Sequence, residues 1–187
     1  MTAFFCHIEI TQLQTINTKK MGAIKNDKFD IQFIERTKII IDSYKGSYNI
    51  TLLLNCLLGL IVLPSEYYKR KARTFFDKDI SEIKELKELV NGIIFNPTKR
   101  KNNNWVADKQ NLRNLIKKVR NGVSHQQIEC LDKNGRWDKV IIRDFNTSNN
   151  NNLELEVRWT TKQLKKFAIF VADNYKAEIE KLEFKAK

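Results

Sequence analysis

The sequence predicts a mainly α protein: a helical bundle of about five helices with a small antiparallel β-sheet or hairpin between the fourth helix and the last. Three observations predict it. Apolar residues recur at helical spacing in five separate stretches, one of those stretches is apolar almost throughout, and two-residue alternation takes over after residue 126. A chain of 187 residues is long enough for one ordinary core. We therefore read residues 26–187 as a single domain with a β insertion at 127–159, preceded by a loosely packed extension at 1–25.

Asp27 can cap the first helix, in which Phe29, Phe33, Ile34, Ile40, Ile41 and Tyr44 repeat at helical spacing before Gly46 and Ser47 break it. Residues 50–63, ITLLLNCLLGLIVL, read as a central core helix stopped by Pro64, which has no N–H to continue it. The run is shorter than the roughly twenty apolar residues of a membrane span and carries Asn55 in its middle. Thr51, Asn55 and Gly59 fall at i, i+4 and i+8, a stripe where a second helix can approach or a polar group be held; a hydrogen-bonded core Asn is the simpler reading.

Asp79 and Glu82 make a capping box for a third helix through Ile83, Leu86, Val90 and Ile93, with Gly92 and Pro97 marking its end. Residues 98–105, TKRKNNNW, read as a polar, basic loop. Asp108 caps the fourth helix, whose stripe of Leu112, Leu115, Ile116, Val119 and Val123 faces the core. Residues 127–131 and 137–145 then flank a turn at 132–135 ending in Asn-Gly, a hairpin signal. LELEVRW, residues 153–159, alternates as a third, half-exposed strand, with Glu154, Glu156 and Arg158 opposite Leu153, Leu155, Val157 and Trp159. Thr160 or Thr161 caps the last helix, which returns Leu164, Phe167, Val171, Tyr175 and Ile179 to the bundle.

Composition narrows the function classes. Lys and Arg outnumber Asp and Glu 34 to 22, a net charge of +12, so a polyanion is the first partner to consider. Cys6, Cys56 and Cys130 are odd in number and far apart, without a CxxC pair, and suit a reducing compartment. With only His7 and His125 as imidazoles there is no zinc spacing, and we expect neither a metal nor a cofactor. The first residues lack the basic start and cleavage site of a signal peptide, so the expectation is a cytoplasmic protein away from the membrane. His7 reads as an ordinary polar residue.

Two basic stretches could contact RNA. In residues 67–76, YYKRKARTFF, Lys69, Arg70 and Arg73 are interleaved with aromatics, a pattern that can track phosphates and stack bases. Lys99, Arg100 and Lys101 form the second candidate. Each pattern is equally that of a solvated face.

The fourth helix carries the chemistry. Arg113, Lys117, Arg120 and Ser124 share its polar face, with Asn121 and His125 beside them, so RNGVSH, residues 120–125, collects a guanidinium, an amide, a hydroxyl and an imidazole at one helix end. RNA cleavage without a metal needs a base for the 2′-hydroxyl proton and a fixed cation for the charge on the phosphorane. His125 and Arg120 suit those roles, and Asn121 can orient either. An R-x4-H spacing by itself is common on helices and decides nothing.

RNGVSH resembles the RNxxxH form of the R-x4-6-H motif of HEPN proteins, late in a helix that follows a core bundle. FIERTKIIIDSY, residues 33–44, and YNITLLLNCLLGLIVLPSE, residues 48–66, resemble the first two helices of a plasmid-borne HEPN subfamily found among mobile-element and defence genes. The resemblance covers roughly residues 29–126. It implies a HEPN-type bundle, a homodimer whose motif helices meet in a shared cleft, and metal-independent endoribonuclease activity leaving a cyclic phosphate. Arg120 and His125 match the fixed motif positions, Asn121 the common polar one, and Thr51 and Asn55 would stand behind them.

Two features depart from the pattern. Gln126 and Gln127 stand where some HEPN toxins paired with a nucleotidyltransferase antitoxin carry a modified Tyr. Gly122 costs about 1 kcal/mol relative to Ala inside a helix; close approach of the partner's helix would offset that, and fraying is the alternative.

Three functions follow. The first is a dimeric endoribonuclease, a toxin or defence effector acting on RNA such as tRNA or mRNA and held in check by an antitoxin or other regulatory partner. The second is a noncatalytic RNA-binding module, and the third a protein-interaction module whose charge serves solubility.

Overall fold

A computed structural model describes residues 29–44, 49–68, 75–101, 104–107, 109–133, 136–146 and 152–185. The extension at 1–25, the caps at Asp27 and Asp108, Cys6, His7 and the basic residues Lys69, Arg70 and Arg73 lie outside the described residues.

Helix α1 spans Phe29–Ser43 and α2 spans Asn49–Tyr68. Two 3-10 turns, Ile80–Glu82 and Lys84–Leu86, lead into the single turn of α3, Lys87–Val90. The strands β1 Ile93–Phe95, β2 Pro97–Lys101 and β3 Asn104–Ala107 precede α4, Leu112–Ser124. The chain ends with β4 Ile128–Lys133, β5 Arg136–Asn146, β6 Asn152–Thr160 and α5 Thr161–Lys185. Strands β1, β6, β5 and β4, in that order, form one antiparallel sheet, and β2 pairs with β3 as a separate hairpin.

This corrects the expected fold class. Five helices are present among the described residues and a mainly α description roughly holds, but the sheet is no minor hairpin: four antiparallel strands form a full layer, and the third expected helix is reduced to the single turn of α3. Asp79 does cap, accepting from the Ser81 amide at 2.9 Å, but the turns it opens bury Ile80, Ile83, Leu86 and Leu89. That spacing of three is the period of a 3-10 helix, whose i and i+3 side chains eclipse. Ile93, expected on the same helix, instead begins β1, which pairs with β6 through Ile93 and Val157. The sheet thus draws a strand from before the motif helix and is not confined to 127–159.

Other boundaries moved as well. Pro64 does not end α2, which runs on to Tyr68. A proline inside a helix costs about 3 kcal/mol, and α2 offsets it by burying Leu53, Leu57, Leu60 and Ile61, at roughly 1.5–3 kcal/mol for each large apolar side chain. Residues 98–105 are largely hairpin rather than loop, with Arg100 opposite Trp105. In β6, Glu154 and Glu156 are buried along with Leu155, Val157 and Trp159, so of the three polar residues expected to face solvent only Arg158 is exposed. The hairpin of β4 and β5, the strand β6 and the Thr160 cap stand where the alternation and capping signals put them; Thr160 and Gln163 exchange backbone and side-chain hydrogen bonds at the head of α5.

Helices α4 and α5 lie on the sheet through β5 and β6, α2 packs across both, and α1 closes on α2 and α5. One apolar cluster joins them, from Ile34 on α1 through Leu57 and Leu60 to Leu115, Ile142, Trp159 and Phe167. Trp159 donates its indole N–H to the Leu89 carbonyl at 3.1 Å, which ties the irregular segment before β1 to the sheet. No helix among the described residues is long and apolar enough to cross a membrane.

Candidate active site

Helix α4 buries the expected stripe of Leu112, Leu115, Ile116, Val119 and Val123, and with it Lys118 and Gly122. Its N-cap is Asn111, whose side chain accepts from the Asn114 amide at 2.9 Å. At the other end the helix stops abruptly. His125 is the C-cap, Gln127 donates its amide to the Gly122 carbonyl at 2.8 Å, and Gln126 donates to Val123 at 3.2 Å. That pair of bonds is a Schellman closure, which needs a left-handed residue after the cap. Gln126 takes that conformation with φ of 57°, a role usually given to glycine. The closure leaves Ser124 and His125 exposed where α4 turns into β4.

Gly122 has an explanation within one chain. A Cβ on it would stand 2.4 Å from the Arg143 carbonyl oxygen and 2.6 Å from Ile142 Cγ2. The motif helix therefore rests directly on the backbone of β5, and neither a partner's helix nor fraying is needed to account for the glycine.

Arg120 and Asn121 are joined. The guanidinium donates Nη2–H to Asn121 Oδ1 at 2.7 Å and Nε–H to the same oxygen at 3.2 Å. The Asp144 carboxylate on β5 lies beside this helix, next to Lys118. Asp144 continues the inward-facing series Val140 and Ile142, opposite Trp159, Val157 and Leu155 on β6. Beyond that point the register slips, since Asp144 faces Leu155 and Phe145 faces Leu153, which makes Glu154 the extra residue of a bulge. A bulge re-aims a side chain, and Glu154 meets the ammonium of Lys118. Lys118 is 3% exposed and also lies 3.5 Å from Asp144 Oδ2, while Asn146 donates to Glu154 Oε1 at 2.9 Å. Burial pushes the Asp144 carboxyl up, opposed by the Lys118 charge and by the hydrogen bond from Asn121.

The remaining expected residues separate. Arg113 is engaged by Asp77, with Nε to Oδ1 at 2.8 Å, and its amide bonds the Phe76 carbonyl, so it braces the turn before the first 3-10 segment. Lys117 stays exposed on α4, and Lys99, Arg100 and Lys101 fall in β2. Thr51 and Asn55 are exposed on α2, so Asn55 is not the hydrogen-bonded core residue considered above. Gly59 of that stripe meets another helix, where a Cβ would come within 2.7 Å of the Phe33 ring. Cys56 and Cys130 are half-buried free thiols, each pushed up by burial.

Sequence reasoning missed Lys118, Asp144 and Glu154. The first two were within reach: Lys118 falls three residues after Leu115 and four before Gly122, inside the buried stripe, and Asp144 keeps the inward register of β5. Glu154 turns inward only through the bulge, which no local pattern announces.

Arg120, bonded to the adjacent Asn121 amide, and the exposed His125 thus stand at the two ends of the RNGVSH segment. Residues 17–182 match the family described as HEPN pEK499 p136. The chain belongs to this HEPN family. The match takes in α4, the full sheet and nearly all of α5, and HEPN membership suggests a ribonuclease or RNA-binding role. Comparisons with curated proteins and with solved structures return no match.

Proposed function

We propose that this HEPN protein is a metal-independent endoribonuclease. In this reading His125 takes the proton of a ribose 2′-hydroxyl, the oxygen attacks the adjacent phosphorus, and the 5′-oxygen leaves with a proton from water, giving a 2′,3′-cyclic phosphate and a 5′-hydroxyl. Arg120 binds the phosphorane oxygens, for which a planar guanidinium held at Nε and Nη2 is suited. Asn121 is the orienting group. Lys117 and Ser124, exposed on the same helix, and the basic strand β2 would hold the RNA backbone. The observation that carries the reading is the anchored Arg120–Asn121 pair one turn before an exposed His125, inside the family match.

We further propose that two copies form a homodimer with a composite cleft, and that the protein serves as a toxin or as a phage or mobile-element defence effector, with an antitoxin or other regulator. The net charge of +12 supports RNA as the substrate, tRNA or mRNA included.

The test is incubation of wild type, Arg120→Ala and His125→Ala with total RNA and a tRNA pool in EDTA, with fragment end groups identified. Cyclic-phosphate fragments from the wild type alone, at rates at least about a hundredfold above either variant, are expected. Intact RNA that is nonetheless bound by all three, with strong salt dependence, would leave a noncatalytic RNA-binding module instead.

A further inference from the structure

We propose that Gln126 is the positioning residue of the motif imidazole: its left-handed backbone closes an arch that carries His125 and stands with both feet on Arg143 of β5. This inference deepens the ribonuclease reading and rests on it for its effect on cleavage, and on backbone geometry alone for the arch.

The arch runs from Gly122 to Gln127. Its feet are bonded to each other, the Gln127 amide donating to the Gly122 carbonyl at 2.8 Å. Each foot also meets Arg143. The Arg143 amide donates to the Gln127 carbonyl at 2.9 Å, and the Arg143 carbonyl oxygen lies so close to Gly122 that a Cβ there would come within 2.4 Å of it. Between the feet, His125 donates its amide to the Asn121 carbonyl at 2.8 Å and Gln126 donates to the Val123 carbonyl at 3.2 Å. Every backbone N–H from His125 to Gln127 is therefore engaged. The Cα of His125 is held without any contribution from its side chain, and the residue stays exposed.

One residue makes that closure possible. Between His125 and Gln127 the chain must leave the helix and turn back toward β4, and it does so through a left-handed residue, Gln126 at φ of 57°. In that region a Cβ crowds the neighbouring carbonyl, so a non-glycine residue stays there only where its surroundings hold it. Gln126 is the sole non-glycine residue with positive φ among the described residues, and it directly follows His125. Its side chain is exposed. What the site requires at 126 is thus a backbone conformation, and the surroundings that hold it are the bonds of the arch itself.

Two variants separate conformation from side chain. Gln126→Gly removes the whole side chain yet suits the left-handed region, whereas Gln126→Val, being β-branched, opposes it. In cleavage of a defined RNA in EDTA, Gln126→Gly should keep kcat within about twofold of wild type. Gln126→Val should lose about tenfold to a hundredfold in kcat with KM within about twofold, since misplacing a reacting group by about 1 Å can cost a hundredfold. Amide hydrogen exchange is the second readout. The Gln127 N–H should be protected in the wild type and in Gln126→Gly, and should exchange at least about tenfold faster in Gln126→Val, while Leu115 and Ile116 in the body of α4 stay protected. Equal losses of kcat in the two variants overturn the proposal and give Gln126 a role through its amide side chain. A folded Gln126→Val protein with wild-type kcat and a protected Gln127 N–H overturns it as well. Should Gln126→Val not fold, a freely exchanging Gln127 N–H in the wild type, or a kcat lost in Gln126→Gly, still overturns the proposal. Should the wild type cleave no RNA, the ribonuclease reading fails, and Gln127 exchange across the three proteins decides the arch by itself.

Discussion

Two regions of this protein pair lysines with carboxylates, and they do opposite things with the same chemistry. Between α1 and α5 three pairs run antiparallel: Glu35 with Lys176, Lys38 with Asp173, and Asp42 with Lys165. Their side chains are roughly a quarter to three-fifths exposed, so water screens them. Under the motif, Lys118 meets Asp144 and Glu154 at 3% exposure. Buried ions lose hydration that their attraction barely restores, so such a cluster adds little net stability while making every member indispensable. The exposed pairs fasten a helix; the buried cluster fixes where one carboxylate points.

Removing one ion separates the two regions most sharply. Lys118→Ala strands Asp144 and Glu154 in the interior and should cost about 3–5 kcal/mol of unfolding free energy, read by urea titration. Lys176→Ala, at an exposed pair, should cost about 1 kcal/mol or less. Equal losses would mean that water reaches Lys118 as freely as it reaches α1.

A smaller effect concerns pH and lies between those extremes. Burial raises the Asp144 carboxyl above its ordinary range, against Lys118 and Asn121. A carboxyl raised in the folded state contributes stability while protonated, and loses it as pH rises through the folded value. Asp144→Asn removes that loss, so its stability relative to wild type should climb as pH rises above about 3.9, the ordinary aspartate value. Glu156 sits on the other face of the sheet. Burial is its largest single influence and pushes it up, but the bonds from Arg143 and Arg158, both 2.7 Å, together hold it below its ordinary range. Its contribution is present above the ordinary glutamate value and is lost as pH falls through the folded value, so Glu156→Gln should decline relative to wild type as pH rises. Unfolding measured at several pH values should give opposite slopes for the two variants, and slopes of one sign would contradict the different environments assigned to the two carboxylates.

The same contrast shows how much the sequence could say. Elements resting on local periodicity were legible: the stripe of α4, the β4–β5 hairpin, β6 and the Thr160 cap. The motif residues Arg120, Asn121 and His125 were legible as a spacing and became informative through family resemblance. What stayed hidden depends on contacts distant in sequence. Ile93–Phe95 is too short to announce a strand and is fixed by pairing with β6. The run Ile80, Ile83, Leu86, Leu89 was readable as a period of three and was obscured by the capping signal of a longer helix. Pro64 reads as a stop because its local penalty is plain, whereas the burial that outweighs it is tertiary. Lys118 was passed over because a lysine in an apolar stripe makes sense only beside carboxylates that arrive from strands 26 and 36 residues later.

The smallest expected effect isolates the exposed region. The Debye length shrinks from about 10 Å at 0.1 M salt to about 3 Å at 1 M, so the three α1–α5 pairs should weaken together while the Lys118 cluster, shielded from ions, should not. Amide hydrogen exchange resolves the two, because local opening of α1 and of α4 can be followed separately. Raising NaCl from 0.1 to 1 M should lower the opening free energy of α1 by less than about 1 kcal/mol per pair and leave α4 nearly unchanged. The combined Lys38→Ala, Lys165→Ala and Lys176→Ala protein should lose most of the salt response of α1, since the contacts of Ile34 and Ile41 in the apolar cluster are insensitive to screening. A salt response that persists in that variant would place the electrostatic hold on α1 elsewhere than in these pairs. A response of equal size in α4 would show that salt reaches the motif cluster, and the distinction between fastening and positioning would then fail at its physical root.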